Sequence, residues 1–256
     1  MSTGNRTPED HDRGMTFPRH RCLSLLLWLL IPAAVLALYL IPVSNRFTKV
    51  FALFTALIVW CGLFKIAWSH RRVRWVLPLI TVLAGVFLLL PARPLPGADA
   101  LRSEYTSALR RYDGTRYIWG GESVRGIDCS GLIRCGLMNA LFQQGLRHAD
   151  PGLLRTSLAL WWNDTSAEAL GKEHAGLTHL LFAAPSINEA DATRLLPGDL
   201  AVTQNGVHIL AYLGDGVWTQ ASPGAGRVIS STVPVENDTW FSQPVNLLRW
   251  QILAGQ

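Results

Sequence analysis

The sequence predicts an α+β domain preceded by three transmembrane helices. Three long apolar runs occupy the first third of the 256-residue chain, and the remainder begins with helical spacing and continues with short alternating strands. A stretch rich in proline and glycine separates the two parts. We therefore divide the chain into a disordered tail (1–21), a membrane region (22–91), a linker (92–97) and a domain (98–256).

Each predicted span is a run with almost no charge, near the roughly 20 residues that cross a bilayer. The runs cover residues 23–42, 50–68 and 75–91, and the last is at the short limit. Lys65 is the single charge within them and lies near the end of its run, where its stem reaches the interface. The first run is longer than the apolar core of a cleaved signal peptide, so we interpret it as a retained span.

Positive charges around the runs predict their orientation. Arg19 and Arg21 flank the start of the first run and three arginines lie between the second and third, whereas the remaining loop has only Arg46 and Lys49. The positive-inside rule then places the tail in the cytoplasm and everything after residue 92 on the other side of the membrane.

The net charge of +5 comes from the membrane part. Up to residue 97 there are 11 Lys and Arg against 3 Asp and Glu, which gives +8, and from residue 98 there are 12 against 15, which gives −3. Because the basic excess serves insertion, it gives no reason to expect nucleic acid as a partner. The expected partner of this part is the lipid bilayer.

Two longer helices are predicted in the first half of the domain. Apolar residues recur at helical spacing over 98–112, and the run 129–145 is typical of a helix that ends at Gly145. A mixed stretch from 146 to 196 is expected to hold two short helices, in LLRTSLALWW and SAEALGK, joined by loops.

Five strand-like runs follow Pro197-Gly198. They are DLAVT, VHILAYL, VWTQA, RVISSTV and VNLLRWQIL. Gln-Asn-Gly at 204–206 and Gly-Asp-Gly at 214–216 are typical of hairpin turns between the first three. Because the helices come first and the strands follow one another, we expect a consecutive antiparallel meander.

The segment GIDCSGL places Cys129 at the start of a predicted helix. Cys135 lies six residues further on, about 9 Å away along a helix and beyond the roughly 7 Å that a disulfide spans, so it is interpreted as core. No metal-type spacing of Cys or His occurs, and we expect no metal. Backbone N–H groups at a helix start lower the pKa of a thiol, and the N–H of Cys129 itself is placed to face an oxyanion. Cys129 is thus a buried cysteine or a nucleophile, depending on whether a base is present.

His208 is the candidate base. Three of the four histidines in the domain fall in the mixed stretch, where histidines without a role are common. In VHILAYL the odd-numbered positions, beginning with Val207, form an apolar face, and His208 projects from the opposite face. Such a histidine is either a satisfied, half-buried residue or the base that a cysteine nucleophile requires.

Gln220 is the candidate for a third group that orients the imidazole. A three-residue turn at 214–216 places Leu210 opposite Gln220 and makes His208 its diagonal neighbour on the same face. A two-residue turn shifts the register by one residue and turns Gln220 away. The hypothesis of a catalytic triad therefore predicts the first register, or a bulge that restores it.

Linked motifs in the domain resemble the NlpC family of papain-like cell-wall cysteine peptidases. They are YIWGGESVRGIDCSGL, LLRTS, LLPGDLAV and VHILAYLGDGVWTQAS, in this order, within residues 100 to 235. The resemblance implies a papain-like fold and, without a cofactor, the hydrolysis of amide bonds next to D-glutamate in peptidoglycan stem peptides. It also implies that Cys129 attacks, His208 shuttles protons and Gln220 orients His208.

Further residues take roles from the same resemblance. Tyr117 corresponds to a tyrosine that lines the pocket near the oxyanion, and Asp128, Ser130 and Trp119 are expected to bind substrate. Independently, Asp128 is predicted to be the N-cap of the following helix. Since peptidoglycan lies outside the cell membrane, the resemblance and the charge pattern agree on a multi-pass protein of the bacterial inner membrane with an extracytoplasmic catalytic domain.

The stretch from about 146 to 190 is longer than the family pattern and is interpreted as an insertion. It contains Trp161, Trp162 and the run LTHLLFAAP, and it either covers the groove, narrows the substrate range or contacts the bilayer. Two other functions stay open. One is an amidase or acyltransferase with the same thiol chemistry on a lipid-linked or small acyl substrate, and the other is a non-catalytic scaffold that binds stem peptides.

Overall fold

The structure, a computed structural model, describes residues 30–38, 40–71, 73–93 and 97–255. The predicted tail, the start of the first predicted span and the centre of the predicted linker lie outside the described residues. Residues 30–38 are helical.

Helix α1, Arg46–Trp68, has the length and composition of a membrane span. It contains 23 residues with a mean hydropathy of 2.2 over its most apolar window, of which only 6% is buried. It begins earlier than the predicted residue 50, because Asn45 and Thr48 form a reciprocal cap. Helix α2, Val76–Leu89, has 14 residues, fewer than the roughly 20 that cross a bilayer. The described residues thus contain one such helix, and the prediction of three is not shown.

The domain begins with four helices that pack on one side of a sheet. They are α3 (Ala98–Arg110), α4 (Cys129–Arg147), α5 (Pro151–Trp162) and α6 (Ala167–Gly171). Helix α4 continues past Gly145, where it was predicted to end. Gly145 instead allows close packing of α5, because a Cβ at this position would lie 2.8 Å from Cδ2 of Leu154.

The sheet has six strands, all paired antiparallel, in the order β3-β8-β4-β5-β6-β7. They are β3 (Thr178–Ala184), β4 (Leu200–Thr203), β5 (Ile209–Gly214), β6 (Val217–Ser222), β7 (Arg227–Thr232) and β8 (Val245–Trp250). A small hairpin, β1 (Glu122–Ser123) and β2 (Gly126–Ile127), precedes α4. Short 3-10 helices lie at His174–Gly176, Ala192–Arg194, Thr239–Phe241 and Gln251–Leu253.

Strands β4 to β7 form the predicted meander, but β8 does not continue it. The free edge of β7 is already taken, because residues 114–117 bond to it: Gly114 N donates to Val228 O over 3.0 Å and Tyr117 N to Gly226 O over 2.8 Å. Strand β8 therefore pairs with β4 on the opposite side, and the prediction of a fully consecutive meander is wrong.

Strand β3 comes from the stretch interpreted as an insertion. No strand is predicted in this stretch, but its apolar run pairs with β8 at the edge of the sheet. The pairing partner is about 70 residues away in sequence, so no local pattern indicates it.

The two faces of the sheet bury separate apolar clusters. Ile209, Ala211 and Leu213 of β5 face the helices, and Leu210 and Tyr212 face the loops on the other side, as the alternation predicts. Val207, which was assigned to the apolar face, is 55% exposed because β5 begins only after His208.

An ion cluster around a buried carboxylate lies at the start of strand β4. The carboxylate of Asp199 is fully buried and accepts two hydrogen bonds from Arg249, over 2.7 and 2.6 Å. It also accepts the backbone N–H of Leu196 over 2.7 Å, and Arg102 lies 3.8 Å away.

Replacing Asp199 with Asn should lower the free energy of unfolding by about 3 kcal/mol, because it removes the carboxylate that the buried Arg102 and the mostly buried Arg249 share. Chemical denaturation of the detergent-solubilised full chain measures this. Glu168→Gln is the matched control, since Glu168 forms an exposed pair with Lys172 and its loss should cost less than about 0.5 kcal/mol. Equal losses in the two variants would contradict the assignment.

Candidate active site

The carboxylate of Asp128 joins loop 117–121 to the start of helix α4. Asp128 is the N-cap of α4, as predicted, and accepts the backbone N–H of Gly131 over 2.6 Å. Its other oxygen accepts the backbone N–H of Gly120 over 2.8 Å. The close approach of helix α4 to this loop requires glycine at position 131, because a Cβ there would lie 2.3 Å from the carbonyl oxygen of Gly121.

Cys129 is the first residue of α4 and is 6% exposed. Burial, together with the adjacent carboxylate of Asp128, raises the pKa of its thiol to about 11. The backbone N–H groups of Ser130, Ile209 and Cys129 itself lower this pKa, but by less than burial and Asp128 raise it. The prediction that the helix start lowers this pKa is therefore wrong in its net direction, and the resting group is a neutral thiol.

Tyr117 lies near the thiol and is half-buried beside the helix-side cluster. Burial, with contributions from Cys129 and Asp128, raises the pKa of its hydroxyl to about 12. Both groups act on Tyr117 because they are close. The tyrosine therefore presents a protonated hydroxyl in the neighbourhood of the sulfur.

Ser130 and Trp119 flank the same region. The hydroxyl of Ser130 donates to Asp128 over 3.1 Å and so supports the cap. Trp119 is 75% exposed at the tip of the loop. Their roles in binding substrate stay predictions.

Strands β5 and β6 meet in the register that the triad hypothesis requires. The paired residues are Ala211–Thr219, Tyr212–Trp218 and Gly214–Val217. The turn has two residues, Asp215 and Gly216, with φ of 53° and 75°, and a bulge between Tyr212 and Gly214 restores the register. The prediction of a bulge that compensates for a two-residue turn is confirmed.

His208, Gln220 and Asp238 form a buried hydrogen-bonded chain. His208 and Gln220 are each 1% exposed. Nε2 of His208 lies 2.6 Å from Oε1 of Gln220, and Nε2 of Gln220 donates to Oδ2 of Asp238 over 2.5 Å. Oδ1 of Asp238 accepts the backbone N–H of Trp240 over 3.0 Å, since Asp238 caps the short helix Thr239–Phe241.

This chain determines which nitrogen of His208 carries the proton. An ionised carboxylate only accepts, so Gln220 turns its amide NH2 toward Asp238 and its carbonyl toward His208. Nε2 of His208 must then donate. Nδ1 keeps its lone pair and is the nitrogen that is able to accept a proton.

Trp240 covers the imidazole. The rings of His208 and Trp240 stack with centroids 4.2 Å apart and an angle of 22°. Burial lowers the pKa of His208 to about 4, although the Gln220 hydrogen bond and the charge of Asp238 raise it. The imidazole is therefore neutral at pH 7.

Helix α4 brings the thiol to the start of β5. It packs against β5 and β6, and the sulfur of Cys129 interacts with the backbone N–H of Ile209, the residue after His208. Both candidate catalytic groups thus lie at one end of the sheet. Among the described residues, no group of three or more His, Cys, Asp or Glu is placed to hold a metal ion.

Sequence analysis does not find Asp238 or Trp240. The segment ENDTWF carries one local signal, an aspartate of the kind that caps helices. Nothing in the segment points to Gln220, which lies 18 residues earlier in the chain.

Comparison with known proteins identifies one family. The sequence model of the NlpC/P60 family matches residues 114–247, slightly more than half of the chain. No curated protein matches the chain at a significant level.

Several solved structures are similar to the chain. NlpC1 from Trichomonas vaginalis has 19% identity and a TM-score of 0.40, over 62% of this chain and 46% of the other. An NlpC/P60 family protein from Bacillus cereus has 18% identity and a TM-score of 0.38, over 61% of this chain and 41% of the other. The peptidoglycan hydrolase RipB from Mycobacterium tuberculosis has 18% identity and a TM-score of 0.37, over 72% of this chain and 88% of the other. This chain spans about half the length of the first two proteins or less.

The neutral resting thiol predicts slow alkylation of Cys129 at pH 7. Because the pKa is raised to about 11, the rate with iodoacetamide should rise about tenfold per pH unit between pH 7 and 10 as the thiolate fraction grows. Peptide mass spectrometry assigns the label, and the buried Cys135 in the same digest is an internal comparison. A rate that is independent of pH between 5 and 8 would show a preformed thiolate–imidazolium pair.

Asp238→Asn should move the proton on the His208 ring. The asparagine keeps its oxygen on the Trp240 N–H and so offers an NH2 group to Gln220, which must rotate and present its own NH2 to His208. The 15N chemical shifts of the ring should then change from the Nε2–H to the Nδ1–H form. Asp191→Asn is the control, because Asp191 caps another short helix. An unchanged ring spectrum in Asp238→Asn would refute the chain of donors.

Proposed function

Because this chain belongs to the NlpC/P60 family of cysteine hydrolases, we propose that it is a membrane-anchored cysteine peptidase of the cell wall. Its substrate is the stem peptide of peptidoglycan, and the bond is an amide next to D-glutamate. The observation that carries the proposal is the buried chain from Asp238 through Gln220 to His208, at the end of the sheet where the Cys129 thiol lies.

The first half of the reaction forms a thioester. The thiol proton of Cys129 moves to Nδ1 of His208 while the sulfur attacks the carbonyl carbon of the amide. The C–N bond then breaks, the amine leaves with the proton from His208, and the acyl group stays on the sulfur. Since both groups begin neutral, proton transfer accompanies the attack and no ion pair has to exist beforehand.

The second half regenerates the thiol. His208 takes a proton from water as the water oxygen attacks the thioester carbon. The C–S bond breaks, the carboxylic acid is released, and the proton returns to the sulfur. Gln220 holds the imidazole in position through both halves, and Trp240 keeps the ring from turning.

Charge on the carbonyl oxygen is stabilised near the start of helix α4. Cys129 is the first residue of α4, so its backbone N–H has no acceptor within the helix, and it interacts with the Cys129 sulfur. Tyr117 keeps its hydroxyl proton and is available as a second donor. Asp128 and Ser130 extend the polar surface for the stem peptide, and Trp119 adds an exposed ring.

The contacts of the apolar helices support an anchor with the domain outside the cell. Arg155 donates to the carbonyl oxygens of Leu88 and Leu90, both over 2.6 Å, at the end of α2. Residues 42–44, before α1, bond to the domain as well. Both chain ends of the α1–α2 hairpin thus lie beside the domain, and its arginine-rich turn is remote from it. Such a turn belongs in the cytoplasm.

Trp161 and the apolar run of the insertion do not favour a lipid-linked or small acyl substrate. That alternative requires them to line the groove. Trp161 lies against Lys49, 5.9 Å from the ring centroid, and the apolar run forms β3, separated from β5 by two strands.

The proposal is tested with the full chain in lipid nanodiscs and purified peptidoglycan fragments, with products identified by mass spectrometry. The full chain is needed because residues 42–49 and 88–93 contact the domain. Cys129→Ala should abolish product formation, because nothing else supplies the nucleophile. Cys135→Ala, which removes the other buried thiol of the domain, should retain activity.

Hydrolysis that survives in Cys129→Ala would remove the thiol mechanism. Cysteine-dependent cleavage at another bond would keep the mechanism and overturn the D-glutamate assignment. Binding without cleavage by the unmodified protein would favour the scaffold.

A further inference from the structure

The segment before helix α1 pairs with the loop that leads to the active site. Ser44 N donates to the carbonyl of Gly120 over 2.8 Å, and Glu122 N donates to the carbonyl of Pro42 over 3.1 Å. Val43 and Gly121 form an antiparallel bridge. Residues 42–44 therefore act as an additional short strand on loop 119–122.

A cluster of four charges, three of them on buried side chains, strengthens the same junction. Lys49 of α1 is 2% exposed and lies 3.7 Å from Glu122. It also bonds to Asp164, and Arg134 of α4 pairs with both carboxylates. The two positive and two negative charges balance, which is the condition under which buried charges are tolerated.

The junction is connected to the thiol through two routes. Gly120, which receives Ser44 on one side, donates to Asp128 on the other, and Asp128 precedes Cys129. Arg134 lies on α4 itself, just over one turn after Cys129. A shift of loop 119–122 therefore changes the cap of α4, and with it the position of Cys129, the residue after the cap.

We propose that Lys49 is a positioning residue for the active site, so that the apolar N-terminal region completes the catalytic domain and does not merely tether it. Lys49 acts through Glu122: it lies near one carboxylate oxygen, Oε2, while Arg134 pairs with the other, Oε1. The expected effect of Lys49 on catalysis rests on the proposed function, whereas its expected effect on the accessibility of the Cys129 thiol does not.

The test compares Lys49→Met, Lys49→Arg and Lys172→Met in the full chain in nanodiscs. Lys49→Met removes the charge, Lys49→Arg retains it, and Lys172→Met is the matched control because Lys172 is 73% exposed in a surface pair. Two readouts are measured: the alkylation rate of Cys129 at pH 9, and kcat and KM on peptidoglycan fragments.

In Lys49→Met, loop 119–122 loses its restraint, so alkylation of Cys129 should become about threefold faster or more. The KM should rise about tenfold. The kcat should change less, because Asp128 still caps α4. Lys49→Arg should restore both values to within about twofold. Lys172→Met should match the unmodified chain.

Wild-type alkylation and KM in a folded Lys49→Met protein would overturn the proposal and leave Lys49 a purely structural role. If Lys49→Met does not fold, Asp164→Asn replaces it, because Asp164 is 46% exposed and bonds to Lys49. Unchanged alkylation in that variant would equally overturn the proposal. Should no variant cleave peptidoglycan, the alkylation rates still decide, so failure of the proposed function is distinguishable.

Discussion

The site depends on the carboxylate of Asp128. It caps α4, fixes loop 117–121 through Gly120 and receives the hydroxyl of Ser130. The same negative charge lies beside Cys129 and opposes ionisation of the thiol. In the proposed mechanism, the residue that organises the site therefore opposes ionisation of the thiol, so the proton has to leave the sulfur during the attack, toward His208.

The proposed base, His208, ends a chain of hydrogen-bonding groups in which each group fixes what the next one donates or accepts. A carboxylate cannot donate, an amide offers one donating and one accepting end, and a neutral imidazole follows whatever the amide presents. Asp238 thus determines the form of His208 across an intervening side chain. Stacking by Trp240 removes the remaining freedom of the ring.

Features set by neighbouring residues were predictable from the sequence. The N-cap at Asp128 and the helix from Cys129 each follow from a few adjacent residues, whereas the bulge before Asp215 was expected only from the triad hypothesis. The place of β8, the origin of β3 and the partner of Gln220 depend on segments far apart in the chain, whose pairing is decided by packing. The direction of the Cys129 pKa was missed for the same reason, because burial is a property of the assembled fold.

The domain is fastened to α1 and α2 at two separate places, residues 42–44 and 88–93. A body held by one flexible linker swivels about it and samples many orientations. Two attachment points remove most of that rotational freedom. The region around Cys129 therefore keeps a constant orientation relative to the helix pair, and under the proposed function each catalytic cycle begins from the same geometry.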